Sequence, residues 1–239
     1  MANSFAILGA TGLVGSNIFK YLLQSPTPNT IMTLTRRALD ESPIVAMVTR
    51  PADHTITEPV EPDTSKWPAA FGDLCKSTSP PPVVFTGLGT TRAAAGGIEK
   101  QYAIEHDINV DVAKAAKEAG VKTFVLISAR NASPTSRIAY SKLKGDIEAS
   151  IEAVGFERYI IVRPGWLLGP RTDQRHVEGF LQLIARGLAS VSTSLVDSFA
   201  QHAEVVARAA VRAALDESIK GKKILEQADI VKLGTKEDS

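Results

Sequence analysis

The sequence predicts an α/β fold, a doubly wound parallel sheet, and three observations carry that prediction. Short, near-continuous apolar runs alternate with stretches of helical periodicity over most of the chain, the pattern of parallel strands covered by helices on both faces. The first apolar run, Phe5-Ala6-Ile7-Leu8, leads straight into Gly9, Gly12 and Gly15 and then into Val14, Ile18 and Leu22 at i, i+4 and i+8. That order is strand, glycine turn, helix. The 239 residues, 44% hydrophobic and 22% charged, suffice for one large domain with a sizeable core,.

The glycine turn is the most informative element. A helix N-terminus presents free N–H groups and the positive end of the helix dipole, which favour an anionic phosphate. Glycines let the chain turn sharply, approach a pyrophosphate and pack the helix on its strand. The backbone from Gly9 through Thr11, Gly12, Leu13, Val14 and Gly15 is therefore the candidate dinucleotide cradle.

The first helix stops at Ser25-Pro26-Thr27-Pro28, and Thr30 to Thr35 reads as strand two,. A third strand falls either at Ile44 to Val48 or at Thr55 to Val60. Asp63-Thr64-Ser65-Lys66-Trp67 reads as a helix start. Pro80-Pro81-Pro82 stiffens the entry to a fourth strand, Val83 to Thr86,. A long helix follows, with Ile104, Ile108 and Val112 on one face, Ala115 and Ala116 extending it and Gly120 closing it,. Thr123 to Ser128 is strand five, Arg137 to Val154 a helix with Leu143, Ile147 and Ile151 in its apolar row, and Arg158 to Val162 strand six. Beyond Pro170 the pattern weakens: a helix at Val177 to Leu188, a loop at Ser190 to Ser194, an alanine-rich helix at Ala203 to Leu215 and a last strand at Lys223 to Glu226. Right-handed crossovers make the sheet doubly wound. With no linker and no repeat, the chain reads as one domain, residues 166–239 forming the substrate side.

Composition narrows the function. A net charge of +1 argues against broad electrostatic capture of nucleic acid or anionic membrane,. Cys75 is the only cysteine, so no intrachain disulfide forms,. The four histidines show no H-x-x-x-H spacing, and no metal site is expected,. No apolar run approaches the roughly 20 residues of a membrane span. The first strand starts almost at Met1, which leaves no room for a leader peptide,.

Chemistry concentrates at the carboxyl ends of the strands, where open parallel sheets hold their ligands. Tyr140 and Lys144 stand at i and i+4 and share a helix face, while Lys142 points elsewhere,. A tyrosine with a free pKa of about 10 is a poor base near neutrality. A neighbouring ammonium favours the phenolate, but bringing the pKa near 7 takes roughly 4 kcal/mol, from the lysine and a cofactor's charge together. Ser128, ending strand five, is positioned to donate to a substrate carbonyl oxygen, with Ser133 a rival. The loop Gly87-Leu88-Gly89-Thr90 and the turn Pro164-Gly165 converge on the same edge. Arg36 and Arg37 stand where an NAD enzyme places a carboxylate for the ribose 2′-hydroxyl, and two guanidiniums suit a 2′-phosphate instead. His106 and Asp107 read as solvated, and Asn109 as a helix-surface residue rather than an internal brace. Arg171 to Arg175 reads equally as a substrate mouth or a solvated loop.

The stretches LGATGLVG (8–15), TLTRR (33–37), DTSKW (63–67), GLGTTRAAAGGIEKQY (87–102), EHDINVDVAKAAKEAGVKTFVLIS (105–128), YSKLKGDIE (140–148) and RPGWLLGPR (163–171) together resemble the atypical short-chain dehydrogenases, chiefly their fungal mitochondrial and human Tat-interactive members. The resemblance implies a Rossmann cleft for an NADP-type cofactor and a Ser/Tyr/Lys site on Ser128, Tyr140 and Lys144. It implies an oxidoreductase acting on a small-molecule carbonyl or alcohol, against the alternative of a non-catalytic NADP sensor. It further implies a cytoplasmic protein peripheral on the mitochondrial outer membrane. The chain departs from the family at Ala129-Arg130-Asn131, where a glycine-bearing turn is expected, and in extra residues around Pro51 to Pro62.

Overall fold

The computed structural model describes residues 3–79, 82–90, 92–168 and 200–236. The predicted helix at Val177 to Leu188, the loop at Ser190 to Ser194 and the stretch Arg171 to Arg175 lie outside them. The strands are β1 (Asn3–Leu8), β2 (Asn29–Leu34), β3 (Thr55–Thr57), β4 (Val83–Thr86), β5 (Thr123–Ile127), β6 (Arg158–Val162), β7 (Trp166–Leu168), β8 (Ala200–His202) and β9 (Gly221–Leu225). Seven of them form one sheet in the order β3-β2-β1-β4-β5-β6-β9, every pairing parallel. The short pair β7 and β8 stands apart. The chain reverses its direction of winding between β1 and β4, and this switch point is where a doubly wound sheet opens a crevice for ligand.

Alternation along each strand builds two cores. Phe5, Ile7, Ile31, Phe85, Val125, Ile127, Ile160 and Val162 face one side. There α1 (Leu13–Leu23) contributes Val14, Ile18, Phe19, Leu22 and Leu23. The opposite face carries Ala6, Leu8, Met32, Leu34, Val84, Phe124, Leu126 and Ile161. Central strands buried on both faces have no polar side to show, which is why they read as unbroken apolar runs.

The third strand is the second of the two predicted segments. Ile44 lies instead in a short helix, α2 (Pro43–Ala46), which starts on a proline, where a missing N–H costs nothing. Thr35 pairs with Val60, and its N–H reaches Pro59 O at 3.3 Å. The extra residues around Pro51 to Pro62 thus supply an edge strand beside β2. Asp63 caps the turn that leads into α3 (Trp67–Lys76), accepting from the Ser65 N–H at 3.0 Å,.

The predicted long helix is three pieces in sequence: a helix α4 (Arg92–Ala95), a helix α5 (Ile98–Tyr102), and a π-turn at Ala103–Asp107 that runs into α6 (Ile108–Glu118). Its most buried row is Gln101, Glu105, Asn109, Val112 and Ala116, not the row led by Ile104 and Ile108. The next helix, α7, spans Ala139–Glu152, with Leu143, Ile147 and Ile151 buried as expected. The described part of residues 166–239 is integral to the core. A helix α8 (Ala203–Leu215) packs on α1, β9 extends the sheet, and α9 (Gln227–Gly234) covers α8. Among the described residues no helix is long and apolar enough to cross a membrane.

Candidate active site

The glycine turn is as tight as its spacing predicts. Gly9 has φ +76°, and a Cβ there would lie 2.8 Å from the Gly87 carbonyl carbon. This close approach fixes the turn against the loop that leaves β4. A Cβ at Gly15 would collide with the Gly9 carbonyl. Gly12 differs: its φ is −81°, and a Cβ there would meet only Gly9 O, at 3.1 Å. The Gly12 N–H closes the turn on Gly9 O at 2.8 Å; no side chain caps α1 at Gly12 and no carboxylate stands in its first turn, so the amides of Leu13, Val14 and Gly15 meet no acidic side chain of their own helix turn. An anionic pyrophosphate fits this cradle.

At the end of β2 the Thr35 hydroxyl donates to Arg37 O at 2.7 Å and turns the chain. Arg36 and Arg37 are both exposed. Glu41 lies 3.7 Å from Arg37 Nε in an open, half-exposed pair, the kind that contributes little and yields readily to a stronger anion. Both arginines stand on the same sheet edge as the glycine turn, since β2 pairs in register with β1.

Three residues of α7, one helical step of four apart, organise the rest of the site: Tyr140, Lys144 and Glu148. Tyr140 is 49% exposed. The Lys144 ammonium lies 5.8 Å from the centre of its ring. Lys144 is buried, and its ammonium meets Glu105 Oε2 at 2.6 Å. Burial opposes that ammonium, but the Glu105 carboxylate, with Tyr140 and Glu148, outweighs burial and holds Lys144 above the ordinary lysine range,. The Gly89 backbone passes over this pair, since a Cβ there would sit 3.8 Å from Lys144 Nζ. Tyr140, Lys144, Leu88, Gly89 and Thr90 are thus brought together, and Gly87 joins them to the glycine turn. Lys142 points away, as its i+2 position requires, and pairs with Asp146 at 2.7 Å.

Ser128 has a partner inside the protein. Its hydroxyl is buried and donates to Glu148 Oε1 at 2.5 Å. Arg163, at the end of β6, grips the same carboxylate through Nε at 3.0 Å and Nη2 at 2.6 Å. A serine has one proton, and here it is spent inside the protein. Ser133 is partly buried, with its hydroxyl 3.0 Å from that of Thr135. The turn after Ser128 is held by Arg130 N–H on Pro164 O at 2.9 Å, which sets Pro164 and Gly165 beside it. Asn131 takes φ 62°, supplying the left-handed residue that a glycine would otherwise provide.

Two readings are corrected. Asn109 is an internal brace: its Nδ2 donates to Glu105 O at 2.6 Å and Leu88 O at 3.3 Å, and its Oδ1 accepts from the Thr86 hydroxyl at 2.6 Å. His106 stacks on Tyr102 and bonds Asp107 and Ser150, each at 2.9 Å, so it is not solvated. Sequence reasoning missed Glu105, Glu148 and the pairing role of Arg163. The signal for Glu148 was present, since it continues the Tyr140 and Lys144 spacing. Cys75 is buried in the core, and burial pushes its thiol up to about 12. Among the described residues no cluster suited to a metal ion occurs.

The uncapped glycine turn at a topological switch point, with a Tyr/Lys pair at its side, defines a nucleotide-binding protein. A family model described as NAD(P)H-binding matches residues 9–217. The chain belongs to this NAD(P)H-binding family, together with fungal relatives named fmp52. It is 43% identical over 243 residues to "Protein fmp52, mitochondrial" of Aspergillus fumigatus, covering 99% of this chain and 100% of that protein. It is 44% identical over 247 residues to "Protein fmp-52, mitochondrial" of Neurospora crassa, covering 98% and 96%. The fold is similar to that of the Bordetella bronchiseptica enzyme WbmG in complex with NAD, with a TM-score of 0.65 and 18% identity over 95% of this chain and 73% of that one. It is also similar to a short-chain dehydrogenase from Streptomyces avermitilis, with a TM-score of 0.60 and 17% identity over 97% and 91%.

Proposed function

We propose that the protein is an NADPH-dependent oxidoreductase of the short-chain dehydrogenase type, acting on a small-molecule carbonyl or alcohol. The observation that carries this reading is the Tyr140–Lys144 pair on one face of α7, beside the Gly89 loop that touches the glycine turn. The cofactor, when bound, supplies or accepts the hydride. The Gly9 to Gly15 backbone holds its pyrophosphate, Arg36 and Arg37 its 2′-phosphate, and Leu88 to Thr90 with Pro164 and Gly165 its nicotinamide end. Tyr140, the open member of the pair, gives the proton to the substrate oxygen or takes it away. Lys144 stabilises the phenolate and hydrogen-bonds the ribose. Ser128 braces Glu148 behind this pair. Substrate contacts come from the chain beyond Gly165.

Tyr140→Phe tests this directly. The variant should bind NADPH almost normally and lose turnover by at least about a hundredfold, the scale of general acid–base catalysis. Undiminished turnover in the folded variant would end the mechanism. The commitment of the Ser128 hydroxyl to Glu148 favours a second reading, a non-catalytic NADP sensor. Tight NADPH binding with no turnover across a carbonyl panel would support that alternative. We further propose peripheral association with the mitochondrial outer membrane; the names of the relatives support a mitochondrial location and no more than that.

A further inference from the structure

Glu105 is the most deeply buried carboxylate beside the proposed active site, and nothing in the Tyr/Lys mechanism requires it. It stands on the π-turn at Ala103–Asp107, a local widening of a helix that recurs at functional sites. Glu105 is 1% exposed, so its charge has no solvent to lean on. Its Oε1 accepts from the Thr90 N–H at 3.1 Å and from Gln101 Nε2 at 2.9 Å. Its Oε2 meets the Lys144 ammonium at 2.6 Å. Gln101 in turn donates to Thr90 O at 3.1 Å, so the same side chains grip both polar groups of one residue in the loop after β4. One carboxylate thereby ties the lysine to the loop that skirts the nucleotide cradle.

We propose that Glu105 is a positioning residue: the internal counter-ion that keeps Lys144 charged and fixed beneath Tyr140 and couples it to the Leu88–Thr90 loop. The assignment rests on Tyr140 and Lys144 forming the active pair. The groups that bear on Lys144 are Glu105 from the π-turn and Tyr140 and Glu148 from its own helix. Of these, Glu148 is already paired with Arg163 and accepts from Ser128, and Tyr140 carries no charge until it gives up its proton. Glu105 is left as the standing anion. Without it, burial, which disfavours the ammonium, is opposed only by Tyr140 and the already paired Glu148,.

The test reads Lys144 itself. Protein labelled with 13C-lysine is titrated by NMR from about pH 7 to about pH 12.5, a span that extends well above the ordinary lysine range. The Lys144 signal is identified by its loss in Lys144→Met. Glu105→Gln should lower the Lys144 midpoint by at least about one pH unit, a tenfold change in proton affinity, and Glu105→Asp should lower it less. An unchanged midpoint in folded Glu105→Gln would overturn the proposal. Should Glu105→Gln fail to fold, the double variant Glu105→Gln with Lys144→Met decides instead. Removing both partners should restore folding, because what destabilises the single variant is an uncompensated buried ammonium. A double variant no better folded than the single one would refute the pairing. Failure of the oxidoreductase reading is a separate outcome: it shows as Tyr140→Phe without effect on turnover and leaves the Lys144 titration where it was.

Discussion

Ser128 Oγ lies 2.5 Å from Glu148 Oε1, and Arg163 holds both oxygens of that carboxylate. The serine expected to touch substrate therefore completes an internal network joining β5, β6 and α7. Hydrogen bonds to charged groups contribute roughly 1.5–3 kcal/mol. Ser128→Ala should destabilise the fold by about that amount in denaturant unfolding, while turnover falls less than about tenfold, well short of the loss expected for Tyr140→Phe. A hundredfold loss of turnover would mean that the hydroxyl leaves Glu148 to serve the substrate.

The glycines of the first turn should separate cofactor binding from folding. Gly12 has an ordinary φ and only Gly9 O within 4 Å of a would-be Cβ. Gly12→Val should fold and lose NADPH affinity, because its side chain enters the approach to the pyrophosphate. Gly15→Val should fail at an earlier level, since its Cβ meets the Gly9 backbone, which cannot yield. Circular dichroism and calorimetric titration of the two variants tell them apart. Equal NADPH affinity in folded Gly12→Val would place the nucleotide elsewhere.

What the sequence revealed was local. The glycine turn, the Tyr140–Lys144 spacing and the apolar strands each depend on neighbours within a few residues, and each lies where periodicity puts it. Glu105 and Asn109 escaped because their partners are remote in sequence. Lys144 and Thr86 make them internal, and a polar side chain gives no sign of burial until its partner is known. Ile104 and Ile108 look like the inner face by hydrophobicity alone, yet the deeper row is the polar one. The strand at Thr55 to Thr57 was ambiguous because an edge strand of three residues, with alternating exposure, carries little apolar signal.

Asn131 shows how a departure from family pattern can preserve geometry. Its φ of 62° is the region that glycine and asparagine visit at least cost. Asn131→Gly should leave stability nearly unchanged, the relief of residual strain offset by a freer unfolded chain. Asn131→Ala should cost about 1 kcal/mol, the low end of the left-handed penalty for an ordinary residue. Thermal melts of both variants check this, and an alanine variant as stable as wild type would show that the turn relaxes to another conformation.

Cofactor choice should follow from Arg36 and Arg37. NADP and NAD differ by a phosphate against a hydroxyl on the adenosine ribose, and in a sheet of this winding the end of β2 lies beside that ribose. Both guanidiniums are exposed, and Glu41 pairs with Arg37 only across 3.7 Å. A dianionic phosphate competes well against so open a partner. Charge-assisted hydrogen bonds contribute roughly 1.5–3 kcal/mol each before screening. Since about 1.4 kcal/mol is tenfold in affinity, NADPH should bind at least tenfold tighter than NADH. Replacing both arginines by alanine should weaken NADPH far more than NADH, and added salt should erode the preference in the wild type but not in the double variant. Calorimetric titration of both cofactors at two salt concentrations decides it. Equal wild-type affinities, or a double variant that weakens both cofactors alike, would remove these arginines from the cofactor site.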